Sequence, residues 1–256
     1  MSIPKIIHYC WFGGKEKLEL ARKCIQSWKK HCPDFQIQEW NEQNFDITQA
    51  PQYVLDAYAA GRWAFVTDYV RLKALVDQGG VYMDTDVELI RPLDPYLHHR
   101  AFCGFEAVDR VQTGLLACEP GFALFAEFLR YYDTAQFLRP DGTQDVTTNV
   151  QVLTRLCQSH GLCCNGQLQT VADLTIYPAE VFCPVDYDTK KLKKTRKTAA
   201  IHWFSGSWHT QQELEAEEAE KLRLRREKQS QLRVALGQKL LGKNGYEKVK
   251  KWLKGR

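Results

Sequence analysis

Apolar positions along this chain fall into two alternating rhythms. "IPKIIHYCWFGG" holds a short strand run, Ile6 to Tyr9, that drops into a glycine turn. "KLELARKCIQSWKKHCP" then places Leu20, Cys24, Ile25 and Trp28 at helical spacing and stops at Pro33. "FQIQEW" alternates as a strand. "WAFVTDYVRLKALVDQGG" is the strongest helical pattern, with Phe65, Tyr69, Leu72 and Val76 on one face and Gly79–Gly80 as its stop. "VYMDTDVELI" reads as one strand, followed by Pro92 and Pro95 in a turn.

"AFCGFE" and "VQTGLLAC" read as further strands, and "FALFAEFLRYY" as an amphipathic helix. Beyond residue 133 the pattern weakens; it predicts a helix around 147–159 and strands near 174–177 and 199–204. Strands alternating with helices predict an α/β domain whose mixed, mostly parallel sheet is flanked by helices. From Gln211 the chain reads as helical, broken by Gly237, Gly242 and Gly245. The expected organisation is therefore a domain over 1–210 and a helical tail over 211–256. There is no internal repeat.

Length and composition agree with this picture. The chain has 256 residues, 44% hydrophobic and 26% charged, which suits one sizeable core and a small appendage. No apolar run approaches a membrane span, and the first residues show no charged-then-apolar leader pattern. Nine scattered cysteines without CxxC spacing argue against a zinc site and a disulfide framework, so reduced thiols in the cytoplasm are expected.

Charge changes the picture more. The net +4 divides unevenly: residues 213–256 hold thirteen Lys/Arg and seven Asp/Glu, leaving 22 basic and 24 acidic residues before them. The body is nearly neutral and the tail is basic. Near the end, Val249, Trp252 and Leu253 form an apolar stripe among Lys248, Lys250, Lys251 and Lys254. That pattern suits a helix on an anionic membrane surface, and equally a solvated or frayed terminus. Segment 213–233 could instead pair with itself or another subunit. A nucleic-acid partner is not expected, because the body shows no basic stripe interleaved with aromatics.

Two carboxylates inside a β-branched run need a reason. On a continuous strand, Tyr82, Asp84, Asp86 and Glu88 share one face, and Val81, Met83 and Val87 the other. Asp84 and Asp86 could then reach one hard cation, Mg²⁺ or Mn²⁺, which keeps positions open for substrate phosphates. An isolated Asp-x-Asp is more often a solvated strand edge. Asp68 and Arg71, spaced i,i+3, form either a surface ion pair or a carboxylate for sugar hydroxyls beside a guanidinium for a diphosphate. His8, Tyr9 and Trp11 sit beside glycines, as a nucleobase pocket would need, although a lone histidine there is more often structural. "AAIHWFSGSW" repeats the pattern, with His202 as a third possible metal ligand and Ser205 and Trp208 as possible diphosphate contacts.

Taken together, "IPKIIHYCWFGG", "WAFVTDYVRLKALVDQGGVYMDTDVELIRPLD" and "IHWFSGSW" resemble glycosyltransferase family 32, whose bacterial members make capsular and other surface polysaccharides. The resemblance covers residues 3 to about 208. It implies a GT-A fold, a nucleotide-sugar donor, a divalent cation (Mn²⁺ or Mg²⁺) and retention of anomeric configuration. Carried over by position, it implies that Asp86 ligates the metal directly and that Asp84 contacts ribose, or the metal through water. Asp68 and Arg71 would hold donor sugar and phosphate. His8, Tyr9, Trp11 and Tyr82 would line the donor pocket, and His202, Ser205 and Trp208 would close over the diphosphate. Gln112 and Asn149 lie where related enzymes face the donor sugar. Val70 and Met83 depart from the pattern without touching the chemistry.

The resemblance further implies a glycan or lipid-linked acceptor, reached from the cytoplasm or the inner membrane face. Two other readings compete: a nucleotide-sugar hydrolase, which would release free sugar without needing an acceptor, and a non-catalytic nucleotide-sugar-binding protein, which would have no need of both aspartates and Arg71.

Overall fold

Side chains alternate across the strands, and each face of the sheet finds its own layer of helices. The computed structural model describes residues 2–206 together with Arg223, Glu227, Lys239 and Gly242. The chain runs β1 (Ile6–Cys10), α1 (Glu19–His31), β2 (Gln36–Trp40), α2 (Gln52–Ala59), α3 (Trp63–Gln78), β3 (Gly80–Met83) and β4 (Val87–Leu89). It continues through β5 (Ala101–Ala107), β6 (Arg110–Val111), β7 (Leu115–Cys118), α4 (Ala123–Thr134) and α5 (Asn149–Ser159). It then forms β8 (Gln169–Val171), β9 (Leu174–Tyr177), α6 (Ala179–Phe182) and β10 (Ala200–His202). Residues up to Ser205 form one unit and those from Gly206 a second. The expected basic helical tail over 211–256 lies outside the described residues apart from those isolated positions, and so does Trp208, the expected diphosphate contact.

An eight-stranded sheet has the order β2-β1-β3-β7-β5-β9-β8, with β6 beside β5. The α/β expectation holds. The sheet is mixed, with a larger antiparallel share than expected: β1–β2, β1–β3 and β5–β9 are parallel, while β3–β7, β5–β7, β5–β6 and β8–β9 are antiparallel. Short loops between β5, β6 and β7 leave no room for the crossover helix a parallel pair needs. On one face Tyr82, Cys103, Phe105 and Leu116 pack under α2 to α5. On the other, Ile7, Val81, Met83, Phe102 and Ala117 pack against Trp28 of α1 and Phe182 of α6.

Helix α3 buries Phe65, Val66, Val70, Leu72 and Leu75. Each contributes about 1.5–3 kcal/mol on burial. That is enough to offset the several kcal/mol per ion that burying charges costs, so the same helix can carry Asp68 and Arg71 inside. It ends at Gly79, whose φ of 67° is left-handed. Gly80 follows with φ 98°, and a Cβ there would stand 2.7 Å from Ile6 O and 3.1 Å from His8 Nε2. The Gly-Gly stop is therefore also a packing requirement.

Two strands read as continuous are broken. "VYMDTDVELI" divides into β3 and β4, joined by a turn at Asp84–Asp86. β3 stays in the main sheet, whereas β4 pairs with β10 in a separate two-stranded sheet. Alternation through residue 88 therefore does not hold, because the chain changes sheets between the aspartates. "VQTGLLAC" divides likewise into β6 and β7, with Gln112, Thr113 and Gly114 between them. Both breaks fall at the same place in space.

Candidate active site

The turn that ends β3 gathers the first cluster. Asp84 N–H donates to Gly114 O at 2.8 Å, which keeps Asp84 on the ladder beside the β6–β7 loop, and Val87 N–H donates to Asp84 O at 2.9 Å to close the turn. In the small sheet His202 stands opposite Val87. Its Nε2 consequently lies 3.3 Å from Asp86 Oδ1. The second oxygen of Asp86 accepts from Ser205 N–H at 2.8 Å and from Ser205 Oγ at 2.9 Å. Asp84, Asp86 and His202 each offer a ligand atom, and these atoms lie within 4.8 Å of one another. The three side chains expected to meet do so, although by a turn between sheets rather than along one strand.

Gly114 is the floor of this cluster. A Cβ there would stand 2.9 Å from His202 Cε1 and 3.1 Å from Asp84 Oδ2. Only glycine leaves the space between the ligands open. Burial favours a protonated Asp86, yet the His202 charge and the two Ser205 bonds outweigh it and hold the carboxyl well below the usual range. Burial favours a neutral His202, and Asp86 beside it pushes the imidazole well above its ordinary value. The pair is an anion facing a cation, the state a bound divalent ion would replace.

A second cluster is built around Arg71. Its Nη2 lies 3.0 Å from Asp68 Oδ1, and its Nη1 lies 3.3 Å from Asp84 Oδ1. Nη1 also donates to Thr113 O at 3.0 Å, Nη2 to Thr67 Oγ1 at 3.3 Å, and Nε to Thr67 O at 3.3 Å. The guanidinium carbon sits 4.5 Å above the Tyr82 ring, and Tyr82 OH donates to Asp84 Oδ1 at 2.9 Å. Every guanidinium nitrogen is engaged within the protein, so Arg71 orients Asp84 rather than presenting free donors.

Asp68 is held from the other side as well. Asn149 Nδ2 donates to Asp68 Oδ1 at 2.6 Å, and Thr113 Oγ1 donates to Asn149 Oδ1 at 2.8 Å. Asn149 opens α5 immediately after Thr148, whose side chain caps the helix in a capping box with Gln151. Burial pushes the Asp68 carboxyl up to about 7, against the pull of Arg71. The chain Thr113–Asn149–Asp68–Arg71–Asp84 is continuous.

The N-terminal residues stand apart from these contacts. His8 is fully buried: Trp40 Nε1 donates to its Nδ1 at 3.1 Å, and its Nε2 donates to Gly79 O at 2.9 Å. Both nitrogens are used, and the ring fastens β1 to the Gly79 turn and to β2. Tyr9 OH donates to Glu39. Trp11 is half-buried in the loop after β1, its Nε1 donating to Lys15 O at 2.6 Å, and Lys17 Nζ lies 5.7 Å from its ring. Gln112 is fully buried, and neither Oε1 nor Nε2 has a partner among the described residues.

Sequence reasoning missed Thr67, Thr113, Gly114 and Glu106. For Gly114 there was a signal, since a glycine inside an apolar strand run marks a close backbone approach. Glu106, the residue before last in β5, has a side chain only 13% exposed. Burial pushes its carboxyl up, while the His202 charge works against that shift. Thr67 and Thr113 act through short side chains and backbone oxygens, which leave no pattern in a sequence.

Residues 19–103, which hold Asp68, Arg71, Asp84 and Asp86, match the family described as "Glycosyltransferase sugar-binding region containing DXD motif". Inositol phosphoceramide mannosyltransferase 3 of Schizosaccharomyces pombe (strain 972 / ATCC 24843) is 29% identical over 140 residues, 50% of this chain and 37% of that protein. The chain thus spans little more than a third of the length of this curated relative. Among solved structures, PaToxG glycosyltransferase is 16% identical with a TM-score of 0.47, over 62% of this chain and 69% of its own. Galactosyltransferase LgtC in complex with donor and acceptor sugar analogs is 14% identical with a TM-score of 0.43, over 80% and 90%. The family match and the curated relative support a glycosyltransferase family.

Proposed function

We propose that this chain is a metal-dependent glycosyltransferase that moves a sugar from a nucleotide-sugar donor to an acceptor hydroxyl. One observation carries the reading: Asp84, Asp86 and His202 converge around the bare backbone of Gly114, two of them inside the segment that matches the DXD family. Two carboxylates and an imidazole suit Mn²⁺, with Mg²⁺ as the harder alternative. When bound, such an ion neutralises a diphosphate and stabilises it as a leaving group.

Asp86 and His202 act as direct ligands, with Ser205 fixing the Asp86 carboxylate. Asp84 is aimed by Arg71 and Tyr82. Asp68 and Asn149, at the far end of the same chain of contacts, face the donor sugar. Trp11 and Tyr9 serve the nucleotide side. As the bond from the anomeric carbon to the phosphate oxygen breaks, the acceptor oxygen bonds to that carbon on the same face. The departing diphosphate takes the hydroxyl proton, and configuration is retained. Engagement of Asp68 by Arg71 and Asn149 supports this route over a covalent intermediate on that carboxylate.

The acceptor in this proposal is a glycan or a lipid-linked sugar of surface polysaccharide synthesis, met at the cytoplasmic face of a membrane. The relative's name, a mannosyltransferase of inositol phosphoceramide, favours a lipid-bearing acceptor and puts a mannosyl donor among the candidates. The basic tail would add membrane attraction. A nucleotide-sugar hydrolase or a non-catalytic binder predicts different behaviour towards an acceptor. The test is nucleoside-diphosphate release from a panel of UDP- and GDP-sugars, with and without Mn²⁺, for wild type and Asp86→Asn. Release from one donor, stimulated by an acceptor and lost with metal or mutation, is expected. Release indifferent to every acceptor would replace transfer by hydrolysis, and metal-independent binding without turnover would leave a binder.

A further inference from the structure

Between α6 and β10 the chain carries Lys190, Lys191, Lys193, Lys194, Arg196 and Lys197, six cations in eight residues. The near-neutral charge of the body conceals this run. All six are exposed. Lys197 reaches Glu180 at 3.0 Å and Lys193 reaches Asp186 at 4.0 Å. Lys191, Lys194 and Arg196 have no acidic partner among the described residues.

The segment is an ordered ribbon. Asp186 Oδ1 accepts from Thr189 N–H at 2.8 Å and Oγ1 at 2.7 Å, and Asp186 N–H donates to Lys191 O at 3.0 Å. Lys193 N–H donates to Pro184 O at 2.9 Å. At the far end, Thr198 Oγ1 donates to Glu180 O at 2.7 Å while accepting from Thr195 N–H at 2.9 Å. In the middle, Leu192 is 43% exposed between two lysines. The ribbon also adjoins the Asp84–Asp86–His202 group: Lys190 Nζ donates to Phe204 O at 3.4 Å, and the Phe204 ring stacks on His202 with centroids 4.1 Å apart.

We propose that residues 190–197 dock the protein on an anionic phospholipid surface. Cations strung along an ordered ribbon around an exposed leucine fit a flat surface that is negative above and apolar beneath. A single soluble phosphate is held by converging donors, not by charges spread over eight residues. A single-stranded nucleic acid wants exposed rings for its bases, and 190–197 contains no aromatic residue. Docking here brings the Asp86–His202 cluster to the membrane, where a lipid-linked acceptor would lie. The inference rests on charge and placement and stands apart from the reaction proposed above.

The test is co-sedimentation of the full chain with vesicles of phosphatidylcholine alone, or mixed with phosphatidylglycerol. Wild type is compared with the triple variants Lys191→Glu/Lys194→Glu/Arg196→Glu and Lys191→Gln/Lys194→Gln/Arg196→Gln. Wild type is expected to bind only the mixed vesicles. Neutralisation should weaken that binding by on the order of a hundredfold, about fivefold per cation lost, and charge reversal should weaken it further. Both variants should keep the wild-type melting temperature and the wild-type rate of donor cleavage without vesicles. That last readout separates failure of docking from failure of the proposed chemistry. The proposal is overturned if the reversed variant sediments like wild type, if wild type ignores phosphatidylglycerol, or if millimolar glycerol phosphate releases it. Loss of binding to single-stranded RNA with vesicle binding intact would assign the ribbon to nucleic acid instead.

Discussion

Arg71 joins Asp68 to Asp84: its Nη2 lies 3.0 Å from one carboxylate and its Nη1 3.3 Å from the other. The guanidinium is buried, with 6% of its side chain exposed. Removing it leaves two carboxylates without a counter-charge, which costs about 3–5 kcal/mol. Arg71→Met should lower stability by that amount in urea unfolding. Arg71→Lys keeps the charge but loses the planar fork, so it should recover part of the stability and little of the donor turnover. Wild-type stability in Arg71→Met would mean the guanidinium is free.

Gly114→Ala places a methyl between His202 and Asp84, at 2.9 Å and 3.1 Å. Overpacking of this kind costs about 1–3 kcal/mol. Mn²⁺ affinity should fall more than tenfold while the protein stays folded, as metal titration and circular dichroism would show. Unchanged affinity would place the ion elsewhere.

Tyr82→Phe removes the 2.9 Å bond to Asp84 Oδ1 and leaves the ring beneath Arg71. The stability loss should be about 0.5–1.5 kcal/mol. Losing a partner that orients a metal ligand typically costs about 10–100-fold in affinity or activity. A thermal melt and a donor-cleavage assay on one preparation separate the two effects.

His8 contributes one part of the pH dependence. Burial lowers its pKa below the ordinary value, against the bond to Gly79 O. The unfolded chain therefore binds the proton more readily than the folded one. Stability is complete above the unfolded value of about 6.5 and falls as pH drops below it, levelling off at the folded pKa. His202 titrates with the opposite sign and in a higher window, because its folded pKa is raised. Comparing wild type with His8→Gln isolates the first effect. The stability difference between them should shrink as pH falls from neutral towards the acidic side of that window, and a constant difference would refute this role.

Much of this site was legible because its chemistry uses charged residues in an apolar background. Asp68, Arg71, Asp84, Asp86 and His202 stood out as ionisable groups where packing wants none, and the structure gathers them. Their manner of meeting was hidden. Alternation predicted that Asp84 and Asp86 share a strand face, whereas the chain leaves the main sheet between them and lets β10 deliver His202. That choice depends on a strand more than a hundred residues away, beyond any local pattern. His8 had two readings, a structural histidine favoured by the residues and a pocket residue implied by the resemblance. A Trp40 donor and the Gly79 carbonyl take both ring nitrogens, which agrees with the structural one. The helices read from periodicity (α1, α3, α4 and α5) are all present, because each buries one continuous apolar face. The basic ribbon before β10 was visible in the sequence and escaped notice because net charge was summed over the whole body.

The most direct test of the central assignment is Mn²⁺ binding, followed by calorimetry or by the spin-resonance signal of the free ion. Wild type, Asp86→Asn and His202→Gln would each be measured with and without a nucleoside diphosphate. Wild type is expected to bind one ion that the diphosphate tightens, and each variant to lose that binding while remaining folded. Equal binding by all three proteins would contradict the assignment of Asp84, Asp86 and His202 as the cation site.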